Sequence, residues 1–554
     1  MVASSGIEAG LIDLLAVFII AGGVGVFVAK VGRFPYTIAL LLAGLGVSIL
    51  GINIDIVLSH DLILLVLLPP LLFEGAATTD LGSFRENIVP VLALAVPGLI
   101  FSVIILGWIG TYAFGYPLLL ALLFAAMVLP TDPVSVLALF EELGAPERLS
   151  VLVEGESLLN DGVGVVIFST LFVLVNQSKS ISPTVVADAG VEIVVASLGG
   201  LLVGLAAGYL IYRIMVNLDE HMTEIVLTLI LAYGSFLLAE HYLHVSGVIA
   251  TVAAGLFIGN RGAEYAMTPQ TKISIFNTWE TATFLVNTLI FVLIGAKTPI
   301  AQMLDNWQII AIAIVLTLAV RALIVYPITG LVNRFSNRTV PFSYQHVMVW
   351  GGLHASIPIA LVLGLPPDFP RVTQLRAMVF GVAAFSLVVQ GLTMGRLLDR
   401  LDVVTRSETK ELYELLLGRA RAVDSALNAA KRLHRKGELP GDVYEDFRGE
   451  YEQEKDNLND AISQLLMDNP DLRQEELLVG ERRVLKEEKS AIMDAMRSGV
   501  VSDDVGERLL EEVDLKLNRV EDGESTVRED PEKEAYTEFW RTRADEYGLS
   551  PGND

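Results

Sequence analysis

Between residues 151 and 168 the chain reads VLVEGESLLNDGVGVVIF, an apolar stretch interrupted by Glu154, Glu156 and Asp161. On a helix, Glu154, Ser157 and Asp161 share one face through i,i+3 and i,i+4 spacing, and Glu156 and Asn160 lie on an adjoining strip. For a helix starting near Leu149, Asp161 sits about 18 Å along it at a rise of about 1.5 Å per residue. That is close to the centre of a hydrocarbon core roughly 30 Å thick. A charge at that depth costs about 2.5–3.5 kcal/mol or more and is a functional candidate by default. The chemistry open to it is narrow. A carboxylate taken out of water holds a proton more readily than one in water. Once deprotonated, it offers oxygen ligands to a hard monovalent cation together with the Ser157 hydroxyl, so proton and cation compete for one place. Glu154, less than two turns into the helix, reads instead as a helix-start carboxylate favoured by the dipole.

Other polar groups interrupt apolar runs. In AAMVLPTDPVSVLALF (125–140), Pro130, Thr131, Asp132 and Pro133 fall in the middle of a span. Proline removes a helical hydrogen bond and clashes with the preceding turn. The freed backbone groups are tolerated at membrane depth only inside protein or around a cavity. Two readings follow: an unwound helix whose Thr131 and Asp132 oxygens meet a cation, or a proline kink with a capping aspartate. WGGLHASIPIALVLGLP (350–366) is a second interrupted run, with Gly351, Gly352 and Pro358. One broken helix in each half of a membrane region points to a transporter built from inverted repeats, with its site at the midplane. Glu74, after Pro69 and Pro70, is a further candidate ligand. Arg321, within LTLAVRALIVYP, reads as a structural counter-ion or a snorkelling group, and Glu280 as a boundary carboxylate.

These residues require many spanning elements, and the chain supplies them. It is 53% hydrophobic and 19% charged over 554 residues, with a mean hydropathy of +0.56. Apolar runs of spanning length fall at roughly 8–30, 35–52, 62–79, 89–114, 117–140, 149–175, 185–215, 223–243, 245–259, 275–297, 307–330, 343–365 and 374–397, about thirteen in all. The first run, 11–29, lacks a basic flank or cleavage signature and reads as a membrane span, not a leader. Residues 401–554 hold 39 of the 64 acidic and 23 of the 39 basic side chains. The expected division is therefore a membrane domain over 1–400 and an acidic tail over 401–554. The tail alternates helix-like segments, such as 411–417 and 509–520, with breakers at Pro440 with Gly441, Asn469 with Pro470, and Gly499. Lys30, Arg33, Arg85, Arg148, Arg213, Arg261, Lys272, Arg334, Arg338, Arg396 and Arg400 fall on one set of connectors. The other set, such as 59–61 and 114–117, is mostly neutral or acidic, with Lys179, Lys297, Arg371 and Arg376 as exceptions. The positive-inside rule then places the N-terminus outside and the tail in the cytoplasm of a cell with this protein in its plasma membrane. With no cysteine, disulfides and thiolate metal sites are excluded. The acidic tail argues against nucleic acid.

GESLLNDGVGVVIF, with LPTDPVSV upstream and WGGL downstream, resembles the NhaP and eukaryotic-type Na⁺/H⁺ exchanger branch of the monovalent cation:proton antiporters. The resemblance covers most of 1–400 and none of the tail. It implies thirteen membrane helices in a dimerisation domain and a six-helix core with two crossed, unwound helices, assembled as a homodimer in the lipid bilayer. It implies that Asp161 binds either Na⁺ or H⁺. Asn160 matches the asparagine of the electroneutral branch, where the electrogenic branch has a second aspartate. Thr131, Asp132, Ser157 and Glu74 match positions that bind or surround the ion, with Na⁺ expected at Asp161, Ser157 and Thr131. Glu156 matches a glutamate that pairs with an arginine of a GGLRG motif, and here that position is His354. Two readings of a Glu156–His354 pair stand side by side: a pH-sensitive link, since histidine titrates near pH 6.5 in water, or a neutral hydrogen-bonded pair.

The expectation is an all-α secondary transporter, not an enzyme, exchanging Na⁺ or Li⁺ for H⁺ by alternating access at one aspartate, with 1:1 electroneutral exchange. A K⁺/H⁺ antiporter of the same fold is the nearer rival, because oxygen ligands do not separate the two cations. A cation channel would favour rings of charge from several subunits. A sensor signalling through the tail lacks any nucleotide-binding or catalytic motif there. No phosphate loop or glycine-rich fingerprint occurs, so neither ATP-driven transport nor a cofactor is expected.

Overall fold

In the computed structural model the chain is described over residues 2–525, apart from 32–34, 52–55, 57–61, 133, 178–182, 217, 219, 337, 355, 404–407, 498–499, 522 and 524. Arg33, residues 59–61, Pro133, Lys179, the breaker Gly499 and the tail beyond 525 therefore lie outside the described residues. The described residues form helices and no strand. The chain divides into two compact units, Met1–Thr405 and Arg406–Asp554.

The first unit begins with α1 (Val2–Val31), α2 (Tyr36–Ile49), α3 (Leu62–Thr78) and α4 (Ile88–Ala113). There follow α5 (Leu118–Val128), α6 (Val134–Leu143), α7 (Glu147–Asn176), α8 (Pro183–Met215) and α9 (His221–Tyr242). It continues with α10 (Gly247–Phe257), α11 (Pro269–Ala296), α12 (Trp307–Phe335), α13 (Phe342–Trp350), α14 (Ser356–Leu363) and α15 (Val372–Arg400). Among the described residues, eight helices are long and apolar enough to cross a membrane, and α2, α3 and α5 are shorter apolar helices. The eight include α1, α4, α7, α8 and α15. α5 has 11 residues, about 16 Å at 1.5 Å per residue, which is half a bilayer core. The prolines explain why it stops there: the chain leaves the helix at Leu129 and Pro130 and resumes it at Val134. α13 and α14 are likewise two short pieces separated by Gly351–His354 and residue 355.

Large apolar side chains remain exposed in rows on α1 (Leu11, Ile12, Ile19, Phe27) and α8 (Val191, Val194, Val195, Leu198, Leu202). In water such rows would be costly, whereas hydrocarbon accepts them. Between helices the contacts depend on small residues, as expected where burial of apolar surface drives nothing. α2 crosses α11 at Gly44 and Gly295. A Cβ on Gly44 would meet the Val292 carbonyl oxygen at 2.2 Å, and one on Gly295 the Leu41 carbonyl oxygen at 2.2 Å.

The second unit contains α16 (Glu408–Arg435), α17 (Gly441–Asp468), α18 (Pro470–Arg497) and α19 (Asp503–Glu521). The breaks at Pro440 and Asn469 fall where the sequence places them. Its cores are small, with Tyr413, Val423 and Ala430 buried on α16, and Leu485, Val513, Leu517 and Val520 clustered between α18 and α19. Exposed pairs such as Arg419–Glu454 and Lys410–Glu475 decorate the surface. Pairs of this kind contribute about 0–1 kcal/mol each.

Gly295→Val should destabilise the first unit by about 1–3 kcal/mol, because no side chain can give way to a backbone clash. Thermal unfolding of the detergent-solubilised protein, followed by tryptophan fluorescence, should show a lowered midpoint. An unchanged midpoint would refute the α2–α11 packing.

Candidate functional site

The two interrupted helices meet at their breaks. The Asp132 backbone N–H donates to the Leu353 carbonyl at 2.7 Å, joining one unwound stretch to the other. Each break also supplies a side chain to a helix end of the other. The Asp132 carboxylate, through Oδ2, accepts from the Ser356 hydroxyl at 2.8 Å and from its N–H at 3.4 Å, at the first residue of α14. A carboxylate is favoured there by the helix dipole. In return, His354 donates from Nδ1–H to the Pro130 carbonyl at 3.1 Å, just past the end of α5. The carbonyl can only accept, so this contact fixes which ring nitrogen carries the proton.

α7 runs beside this crossing and presents its polar face to it. Asn160 donates from its amide nitrogen to the Thr131 hydroxyl at 2.9 Å and accepts from the Thr131 N–H at 3.3 Å. The Ser157 hydroxyl donates to the Thr131 carbonyl. Thr131, Asp132, Ser157, Asn160 and Asp161 are all buried. Asp161 differs from its neighbours. Its Oδ1 is buried and accepts no hydrogen bond from the described residues, and Asp132 is a charge that acts on it. A buried carboxylate oxygen without a donor is costly, and beside the crossing it has capacity left for a ligand.

Glu156 is paired, but not with His354. Arg321, from the middle of α12, grips it with both terminal nitrogens. Nη1 contacts Oε1, and Nη2 meets Oε2 at 2.9 Å while also donating to the Met348 carbonyl at 3.1 Å. The expected Glu156–His354 contact is replaced by this bidentate pair, because the fork of a guanidinium matches a carboxylate. Arg321 is therefore the structural counter-ion, and His354 serves backbone instead. Gly352 makes room for it, since a Cβ there would come within 3.1 Å of Arg321 Nε and 3.3 Å of Thr131 Cγ2.

Glu74 belongs to a different group. The carboxyls that act on it are Glu154, Glu280 and Glu141, and Glu154 accepts from the Thr79 hydroxyl at 3.1 Å. Glu154 is thus tied to the end of α3. The sequence reading missed Ser356, the donor to Asp132, although a serine opening a helix next to a break is a recognisable capping signal.

Removing Arg321 alone should leave a buried, uncompensated carboxylate. Arg321→Leu should lower stability by about 3–5 kcal/mol, and adding Glu156→Gln should recover much of the loss. Unfolding midpoints of the two variants test this. Equal instability of the single and double variants would contradict the pair.

The family described as "Sodium/hydrogen exchanger, transmembrane" matches residues 14–400. The chain is 34% identical over 513 residues to the Na(+)/H(+) antiporter NhaG of Bacillus atrophaeus, covering 90% of this chain and 96% of that protein. It is 38% identical over 397 residues to the Na(+)/H(+) antiporter ApNhaP of Aphanothece halophytica, covering 71% of this chain and 75% of the relative. The fold is similar to that of the sodium proton antiporter MjNhaP1 from Methanocaldococcus jannaschii, with a TM-score of 0.58 at 18% identity over 73% of this chain and 99% of that one. Two interrupted helices crossing beside a buried aspartate, within a chain matched over nearly all its apolar length, lead to one conclusion: this protein belongs to the transmembrane sodium/hydrogen exchanger family.

Proposed function

We propose that the protein is a multi-pass antiporter that exchanges Na⁺ (or Li⁺) for H⁺, one for one, at Asp161. The observation that carries this reading is the Asp161 Oδ1 atom, buried and without a hydrogen-bond donor among the described residues, on the helix whose Ser157 and Asn160 hold Thr131. Deprotonated Asp161 binds the cation with help from the Ser157 hydroxyl and the Thr131 oxygens. Protonated Asp161 carries H⁺ instead. The same carboxylate cannot hold both, so binding one releases the other.

The neighbours keep the count of mobile charge at one. Asn160 is neutral and engaged with Thr131. Asp132 is held by Ser356 at the start of α14, so its charge complements a helix end and does not bind the travelling ion. Glu156 is neutralised by Arg321. Glu74 has Glu154, Glu280 and Glu141 as its neighbouring charges and belongs with those carboxyls, not with the Asp161 ligands. Alternating access of the crossed helices then exposes a loaded Asp161 to one side or the other.

On this reading the eight long helices, α2, α3, α10 and the two interrupted helices make thirteen crossings. The N-terminus lies outside the plasma membrane and the acidic tail in the cytoplasm, where the basic connectors also lie. The functional particle is the homodimer that the family resemblance implies.

In proteoliposomes carrying a pH-sensitive dye, Na⁺ and Li⁺ pulses should dissipate an imposed pH gradient, and the rate should not respond to a clamped membrane voltage. Asp161→Asn should reduce the flux to background while leaving folded protein in the membrane. Strong voltage dependence would overturn the 1:1 stoichiometry. Flux through Asp161→Asn would overturn the site, and flux with K⁺ alone would move the selectivity to that ion.

A further inference from the structure

α15 is not uniform. Between Val372–Phe385 and Gly391–Arg400 it widens into a single broader turn at Ser386–Gln390. Wider turns of this kind inside helices recur at functional sites. Here the turn faces the break between α13 and α14. Ser386 is fully buried and Gln390 almost so. The Ser386 hydroxyl accepts from the His354 N–H at 3.0 Å, and its single proton has two carbonyl acceptors, His354 at 3.1 Å and Ala383 at 3.0 Å. Gln390 donates to the Trp350 carbonyl at 2.8 Å, and the Trp350 indole N–H donates to Thr393 at 2.9 Å.

An unwound stretch at membrane depth must have its backbone groups met by protein. Those of the second break are met from two directions. The Trp350 carbonyl and the backbone of His354 are met by α15, and the Leu353 carbonyl by the Asp132 N–H. The second contact joins the clasp to the site. Asp132 follows Thr131, whose own groups bind Asn160 and Ser157, the flanking neighbours of Asp161 on α7. Hydrogen bonds joined through the His354–Leu353 and Asp132–Thr131 peptide links thus connect Ser386 to the Ser157 and Asn160 side chains beside Asp161.

We propose that Ser386 and Gln390 are positioning residues for the exchange. By holding the Trp350–His354 backbone they fix the Leu353–Asp132 crossing, and so set the spacing of the Thr131 and Ser157 oxygens about the cation. This rests on the reading of Asp161 as the carrier. It adds that cation affinity depends on two side chains of a helix that contributes no ligand.

The test uses the full chain in proteoliposomes, with Na⁺ as the varied ion, alongside hydrogen–deuterium exchange of the same protein. Ser386→Ala should raise the apparent KM for Na⁺ about fivefold, the scale of one lost buried hydrogen bond, while the maximal rate stays within about twofold. Gln390→Met, similar in shape but without a donor, should shift KM in the same direction. Ser386→Thr, which keeps the hydroxyl, should restore the affinity. Peptides covering His354 should exchange faster in Ser386→Ala than in the unmodified protein. Unchanged KM in both variants, or unchanged amide protection at His354, would overturn the proposal. Asp161→Asn, run in parallel, separates the two readings. If it still exchanges Na⁺ for H⁺, the carrier is misassigned, and the amide protection still judges the clasp by itself.

Discussion

Backbone groups freed inside a membrane have no water to turn to, and the rest of this structure follows from how they are satisfied. Prolines stop α5 at half the membrane depth, and glycines interrupt the run that becomes α13 and α14. Either break alone would leave donors and acceptors exposed to hydrocarbon. Together they complete one another: Asp132 serves the start of α14, His354 serves the end of α5, and Asp132 N–H meets Leu353 oxygen. The crossing is therefore the cheapest place in the membrane domain for polar groups to gather. α7 brings Asp161 to that place.

Much of this was legible before any coordinates. The depth of Asp161 follows from counting along one helix, and the shared face of Ser157 and Asp161 follows from its period. The two broken runs announce themselves through Pro130 and the Gly351–Gly352 pair. What sequence could not supply was which polar group answers which. Glu156 and His354 were matched by motif position, yet the guanidinium that reaches Glu156 comes from α12, more than 160 residues away. No local pattern encodes that contact, because it depends on where α12 crosses the breaks. Ser386 was invisible for a similar reason: a serine in an apolar run carries no mark of the backbone it meets.

The replacement of arginine by His354 takes on a different meaning once the partners are known. A neutral imidazole with its proton on Nδ1 is sufficient to cap the Pro130 carbonyl. The charge that Glu156 requires is supplied by Arg321, so nothing near the crossing depends on His354 being a cation. Two carboxylates at the crossing are thus matched in place: Glu156 by Arg321, and Asp132 by the start of α14. On the proposed reading, Asp161 is then the carboxylate whose state changes with its load, with Na⁺ and H⁺ in competition for it.

That competition can be measured without transport. Binding of Na⁺ to the purified protein, followed by titration calorimetry in buffers of different ionisation enthalpy across pH, reads both affinity and the number of protons released. The account predicts that one proton leaves for each Na⁺ bound on the acidic side, where the apparent Kd for Na⁺ rises tenfold for each unit fall in pH. A Kd that does not change with pH, with no proton released, would contradict it.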